Sequence, residues 1–258
     1  MNTSRKFAAV LLATLAGVGA AVYAMRAQPQ NQISQSAQPP SLAMNRNLVV
    51  LDPAHGGPDG GAVLGDHVLE KDVTLAMAAR LRAALTAAGF TVIATRDADA
   101  GDPPTINQRA EIANRTHAVA CLVLHATATG SGVHVYTSAL QAFDAGGTAS
   151  VSSPSGFVPV PWEMAQAGYA DESQHLASDL SGALGSSSLP VVVGRAPVLP
   201  LDNLMCPAVA VELAPLAISS GATTPVTDAD YQQRVVASMA AALKSWRDDN
   251  APAPRGTP

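Results

Sequence analysis

The sequence predicts an α/β fold, with a single domain whose mostly parallel, twisted sheet is flanked by helices on both faces. Strand-like and helix-like patterns alternate along residues 48–124, which is typical of parallel strands joined by crossover helices. Residues 118–124 are nearly all apolar, as expected for a strand covered on both faces. A chain of 258 residues has room for one such domain with appendages.

The first half of the domain is predicted to contain three strands and two helices. The first strand begins at Leu48 and ends at Asp52-Pro53, where a glycine-rich loop starts. Asp72 is the predicted N-cap of the first helix and Gly89 its stop, because apolar residues recur between them at helical spacing. The other predicted elements are helices at residues 73–88 and 105–115 and strands at residues 90–95 and 118–124.

The second half of the domain is less regular. Residues 132–137 alternate between valine and other residues, which predicts an edge strand. Residues 138–168 form a connection too long for a simple loop, and its apolar cluster indicates a functional segment. Beyond it the sequence predicts a helix at residues 171–184, strands at residues 191–193 and 208–211, and a last helix near residues 228–246, capped by Thr227 with Asp230.

The two ends of the chain differ from this domain in composition. Arg5 and Lys6 precede a long apolar run that ends in small residues near Ala24, which is typical of an export signal. Because the run approaches the length that spans a bilayer, an uncleaved anchor is the alternative. We therefore divide the chain into a signal peptide or membrane anchor (residues 1–25), a flexible linker (26–46), the folded domain (47–248) and a disordered tail (249–258).

The formal net charge of −5 argues against nucleic acid as the main partner, because no basic face is available to release counterions. The chain has two cysteines, Cys121 and Cys206, each on an apolar run. We interpret them as two separate buried thiols in neighbouring strands rather than a disulfide, although an oxidising compartment would allow them to pair.

Three polar residues border the apolar elements in a way that indicates a metal site. His55 lies at the exit of the first strand, Glu70 precedes the first helix, and His125 ends the apolar run of residues 118–124. Two histidines and one carboxylate that leave a position open are a common ligand set for catalytic zinc. The alternative for Glu70 is a purely local one, since a carboxylate at a helix start is favoured by the helix dipole.

Several motifs together resemble a known family. LDPAHGGPDGG is followed by Glu70, and later come LVLHATA around His125 and PAVAVELAPLAIS around Glu212. This pattern resembles the zinc-dependent N-acetylmuramoyl-L-alanine amidases of the amidase-3 type, which are peptidoglycan hydrolases, and it covers residues 48–246. Two positions depart from it: Ala54 stands where the family usually has glycine, and Thr127 where it usually has asparagine.

The resemblance implies a function and a role for each matching residue. His55, Glu70 and His125 would bind Zn²⁺, and Glu212 would act as general base and then general acid. The substrate would be the amide between N-acetylmuramic acid and L-alanine, which makes peptidoglycan the partner and the periplasm or cell envelope the location. Trp162, in the apolar cluster of residues 138–168, is predicted to contact sugar or peptide; packing of the loop onto the core is the alternative.

Two other functions stay open at this point: a peptidoglycan-binding or regulatory module that has lost turnover, and a zinc peptidase of different specificity. The chain has no G-x-S-x-G elbow, phosphate-binding loop or H-E-x-x-H helix, which argues against other common hydrolase classes. Arg96 and Arg109 are predicted to tie loops together by salt bridges rather than to bind substrate. The remaining histidines, for which we predict no site role, are His67, His117, His134 and His175.

Overall fold

Strands and helices alternate along the part of the chain that the computed structural model describes, residues 45–65, 67–141, 161–217 and 221–250. The described strands are β1 (Asn45–Pro53), β2 (Val63–Gly65), β3 (Val68–Leu69), β4 (Thr91–Ala94), β5 (Ala118–Ala126), β6 (Val133–Ser138), β7 (Val191–Ala196), β8 (Ala208–Leu213), β9 (Leu216–Ala217) and β10 (Thr223–Thr224). The described α-helices are α1 (Glu70–Ala87), α2 (Ile106–Asn114), α3 (Ala170–Ser186) and α4 (Ala229–Asp249), and 3₁₀ segments cover Trp162–Tyr169 and Leu201–Asn203.

The described residues form a central sheet of six strands in the order β4-β1-β5-β8-β6-β7. Strands β4, β1, β5 and β8 pair in parallel, as do β6 and β7, whereas β6 and β8 are antiparallel. This confirms the predicted mostly parallel sheet. The prediction that residues 132–137 form an edge strand is wrong, because β7 pairs along the outer side of β6. The polar residues of β6 therefore do not mark a solvent-facing edge.

Helices cover both faces of the sheet, which confirms the predicted layering. On one face α1, α3 and α4 bury the larger core, to which β1 contributes Val49 and Leu51 and β5 contributes Leu122 and Leu124. On the other face α2 and the segment Leu201–Asn203 cover a smaller core. Successive strand residues alternate between the two cores, as the pleat requires. The smaller-core face also carries the candidate site.

Two predicted helix N-caps are wrong, by three residues for α1 and by one residue for α4. Helix α1 begins at Glu70, and its N-cap is Leu69 rather than Asp72. Asp72 lies instead in the first turn, where a carboxylate interacts favourably with the helix dipole. Helix α4 is capped by Asp228, whose side chain accepts a hydrogen bond from the backbone N–H of Tyr231, and not by Thr227 with Asp230. Gly89 follows α1 with a φ of 86°, as predicted for a glycine stop.

The two cysteines are joined, so the interpretation as separate thiols is wrong. Cys121 on β5 and Cys206 just before β8 form a disulfide across a Cα–Cα distance of 6.2 Å. β5 and β8 are neighbours in the sheet, and the two sulfur atoms lie in the same small core. The predicted adjacency of the two strands is confirmed, whereas the bond between the sulfur atoms was not predicted.

Several predicted segments lie outside the described residues: the signal peptide or anchor (1–25), nearly all of the linker (26–46), residues 142–160 of the long connection and the tail beyond residue 250. The described elements reach slightly into two of these segments, since β1 begins at Asn45 and α4 ends at Asp249. Within the described ranges, no helix combines the length and apolar character needed to span a membrane.

Candidate active site

His55, Glu70 and His125 come together at the carboxyl ends of β1 and β5. One potential ligand atom from each of the three residues lies within 4.8 Å of the others. The two strands are parallel neighbours, so His55, just after β1, and His125, near the end of β5, reach the same edge of the sheet. Glu70 reaches it as the first residue of α1. The three predicted ligands thus converge although they belong to separate elements.

Glycine in the loop after β1 allows this approach. Gly61 has a φ of 66°, a left-handed conformation that favours glycine. A Cβ atom at Gly61 would lie 2.6 Å from Cδ2 of His55 and 2.7 Å from Oε2 of Glu70. His55 itself has a φ of 63°, so the backbone turns sharply at the ligand. The left-handed backbone and the absence of a side chain at Gly61 together make room for His55, Glu70 and His125, which we call the ligand group.

The Glu70 carboxylate is buried and accepts four hydrogen-bonding contacts. Oε1 lies 2.8 Å from Nδ1 of His125 and 3.1 Å from the backbone N of Ala126. Oε2 lies 3.1 Å from Nε2 of His55 and 2.9 Å from the backbone N of Ala62. Burial by itself would raise the pKa of Glu70, but the hydrogen bonds from the two histidines and the two amides lower it well below its usual range. Glu70 is therefore held as an anion at the candidate metal site.

Asp59 orients His55 from the other side of the ring. Its Oδ2 lies 2.8 Å from Nδ1 of His55, which leaves Nε2 facing Glu70. The hydrogen bond to Glu70 raises the pKa of His55 against the opposing effect of burial, and the bond to Asp59 raises it further. A carboxylate behind a histidine is the arrangement that fixes the tautomer of a metal ligand. The donor set of two imidazoles and one carboxylate, with this support, suits Zn²⁺ and leaves a position for water.

Two buried arginines hold the backbone around the candidate ligands, but among the described residues only Arg109 does so with the predicted salt bridge, which it forms to Asp52. Arg109 donates to Oδ1 of Asp52 at 2.9 Å and to the carbonyls of Pro53 and His55, each at 2.7 Å. Arg96 donates to the carbonyls of Pro53 at 2.9 Å and Ala54 at 3.0 Å. Each guanidinium presents several donors in a rigid fork, so one side chain gathers several loop carbonyls. The loop that follows β1 and carries His55 is thereby attached to the sheet.

Glu212 lies beside the ligand group in a row that crosses three strands. On β8 it is in register with His125 of β5 on one side and with His134 of β6 on the other. Residues in register share a face of the sheet, so the three side chains project together. Oε2 of Glu212 lies 2.8 Å from Nδ1 of His134. Within the described residues Glu212 does not belong to the group that could hold a metal.

Comparison with known proteins identifies the family. The model of the N-acetylmuramoyl-L-alanine amidase family Amidase_3 matches residues 49–245. This chain belongs to that family. The match contains the three ligand positions and Glu212, so the family assignment and the geometry of the site concern the same residues.

Among characterised amidases, the germination-specific N-acetylmuramoyl-L-alanine amidase of Bacillus subtilis is 38% identical over 110 residues, which are 38% of this chain and 46% of the relative. AmiC of Neisseria meningitidis is 32% identical over 120 residues, which are 43% of this chain and 28% of the relative. The matched segment thus spans less than half the length of these relatives.

The amidase Ami1 of Mycobacterium smegmatis shares the fold, with a TM-score of 0.60 at 20% identity over 79% of this chain and 97% of that chain. The CwlD amidase of Clostridioides difficile, whose structure is a complex with the GerS lipoprotein, has a TM-score of 0.56 at 18% identity over 79% of this chain and 100% of that chain.

The two departures from the amidase pattern are compatible with the observed backbone. Ala54 has no positive φ, and its contacts to Leu124, Thr74 and Arg96 all use its backbone N–H or C=O. A methyl group at Ala54 therefore removes none of them. Thr127 donates its backbone N–H to Leu213, and its hydroxyl lies 3.3 Å from that of Thr129. Neither side chain is needed for the approach of the ligands.

A cleft of about 310 Å³ opens beside His55 and His125. Its lining also includes the apolar residues Pro103, Ile106 and Leu199, whereas Glu212 is not among the lining residues. Trp162 does not line this cleft; it begins a 3₁₀ segment, packed against Leu201–Asn203, and is 39% exposed. Its role as a substrate contact stays a prediction of the amidase interpretation.

Sequence reasoning missed two residues of this amidase site, Asp59 and His134. Asp59 stands four residues after His55 in the glycine loop, and this short spacing could have indicated a contact between the two side chains. His134 carried no such signal, because its partner Glu212 is 78 residues away and on a strand whose neighbours the sequence does not reveal. His67 lies in an exposed turn outside the ligand group, as predicted.

Proposed function

We propose that this protein is an exported, zinc-dependent N-acetylmuramoyl-L-alanine amidase that cleaves the amide between N-acetylmuramic acid and L-alanine in peptidoglycan. The observation that carries the proposal is the convergence of His55, Glu70 and His125 beside Glu212 within a domain of the amidase family. The curated relatives from Bacillus subtilis and Neisseria meningitidis are amidases of this specificity by name.

Each residue of the site has a task in this reaction. His55, Glu70 and His125 would hold the metal, and Asp59 keeps the His55 ring in place. When bound, Zn²⁺ supplies the Lewis acidity that polarises the scissile carbonyl and lowers the pKa of water towards about 7. Glu212 accepts a proton from the attacking water and then delivers it to the nitrogen of the leaving L-alanine.

The disulfide supports export. Disulfides form and persist in oxidising compartments and are rare in the cytosol. Cys121 and Cys206 are joined in the folded domain, and peptidoglycan lies outside the cytoplasmic membrane. Export through residues 1–25, by a cleaved signal or an uncleaved anchor, would bring the enzyme to its substrate.

Turnover of purified peptidoglycan by the full chain and its Glu212→Gln variant tests the proposal. Glutamine keeps the size of the side chain but cannot accept the water's proton, so release of stem peptides with a free L-alanine amine should fall by about 10²- to 10⁴-fold. Zinc content, measured by elemental analysis, should stay at the wild-type value because Glu212 is not proposed as a ligand.

Three outcomes would contradict the proposal. Cleavage inside the stem peptide would favour a zinc peptidase of other specificity. Zinc binding without any released product would favour a binding module that has lost turnover. Loss of zinc from Glu212→Gln would make Glu212 a ligand, and the division of roles would be wrong.

A further inference from the structure

Glu212 has one oxygen that is held by the protein and one that is free. Oε2 lies 2.8 Å from Nδ1 of His134, so an ionised Glu212 accepts the Nδ1–H of that ring. Oε1 accepts no hydrogen bond from the described residues, and the side chain is 29% exposed. The side chain of His134 is only 12% exposed. A mostly buried ring thus anchors one oxygen of a carboxylate that projects from the same face of the sheet as His125.

The His134 ring is itself held in place. Gly130 has a φ of 83°, and a Cβ atom there would lie 2.8 Å from Cε1 of His134 and 3.1 Å from Nε2, so the loop after β5 closes directly over the ring. On the other side the Tyr136 ring meets it edge-on with centroids 6.1 Å apart. The antiparallel register between β6 and β8 places His134 opposite Glu212. These contacts restrict the ring to the position in which it reaches Oε2.

We propose that His134 is a positioning residue for Glu212: by holding Oε2 it keeps Oε1 directed towards the attacking water beside His125. This inference rests on the proposed amidase function. The Glu212 side chain has three rotatable bonds, and an unanchored carboxylate would spend much of its time in orientations that cannot take the proton. Misplacement of a reacting group by about 1 Å can cost about 10²-fold in rate.

Two variants of similar size separate the hydrogen bond from the packing. His134→Asn retains an N–H donor close to the place of Nδ1, whereas His134→Leu fills the same space without a donor. For the full chain acting on a soluble muropeptide, His134→Leu should lower kcat by about 10- to 10²-fold with KM and zinc content unchanged. His134→Asn should recover most of the loss. His175→Leu, on the exposed side of α3, is the control for removal of a histidine.

A double variant tests whether His134 acts through Glu212. If it does, His134→Leu should slow an enzyme that already carries Glu212→Gln by less than about twofold, because residues that act as a unit are not additive. Equal activity of His134→Leu and wild type, an equally slow His134→Asn, or fully additive losses in the double variant would each overturn the positioning role alone. A wild-type chain that binds zinc but releases no product would overturn the proposed function and this inference with it.

Discussion

Gly61 shows how one missing side chain determines whether the ligand group can form. The loop after β1 passes so close to His55 and Glu70 that the hydrogen of Gly61 occupies the only space left. The nearby Gly65 differs, because a Cβ there would meet nothing within 4 Å. The two glycines therefore form a matched pair for testing the ligand group.

Gly61→Ala should weaken zinc binding by at least about 10-fold, because the methyl group displaces His55 or Glu70 and the φ of 66° strains the alanine. Zinc retained after dialysis against a weak chelator gives the measurement, with His55→Ala and His125→Ala as references that lack a ligand. Gly65→Ala should retain the wild-type affinity. Unchanged zinc in Gly61→Ala, or in both histidine variants, would contradict the assigned ligand set.

At the scale of single elements, the disulfide connects the two strands that carry the chemistry. Cys121 lies on β5, which bears His125, and Cys206 precedes β8, which bears Glu212. The bond closes a loop with a sequence separation of 85 residues. Cross-links across long loops restrict the unfolded chain most, so this bond stabilises the domain more than a short-range one would.

The double variant Cys121→Ala/Cys206→Ala should lose roughly 2–5 kcal/mol in free energy of unfolding. Urea denaturation of the variant and of wild type, each with and without reductant, measures the loss. Reduced wild type should unfold close to the variant, whereas the reductant should not change the variant. If oxidised wild type and the variant share one midpoint, the disulfide contributes no stability.

Element boundaries also show what local sequence can predict. Strand β5 and helix α2 lie close to where local patterns predict them, because both depend on neighbours in sequence. The structure adds that Thr105 caps α2 together with Gln108. The start of α1 was predicted three residues late because aspartate at position 72 is a favourable N-cap residue. Glu70 occupies the helix start because its carboxylate is bound by the ligand histidines and by Ala62 and Ala126.

At the scale of the whole molecule, the proposed export of the protein concerns both residues 1–25 and the disulfide. Residues 1–25 are proposed to direct export, and the folded domain contains a bond that an oxidising compartment maintains. The state of the two cysteines therefore reports where the chain folded.

Deletion of residues 1–25 should leave the chain in the cytoplasm with Cys121 and Cys206 reduced, since glutathione and thioredoxin keep thiols reduced there. Cell fractionation with maleimide labelling under denaturing conditions measures both effects. The full chain should be found in the envelope fraction and resist labelling unless it is first reduced. An exported, disulfide-bonded truncated chain would show that residues 1–25 are not the signal.

The sequence by itself predicted the fold class from periodicity. It predicted the three candidate ligands and Glu212 from motifs that resemble the amidase family and are each contiguous in the chain. Only the tertiary structure decided the partners of those residues. His134 opposite Glu212, Cys121 beside Cys206 and β7 outside β6 all depend on strand order. That order is set by how the helices bury the two faces of the sheet, an interaction among residues far apart in sequence that no local pattern encodes.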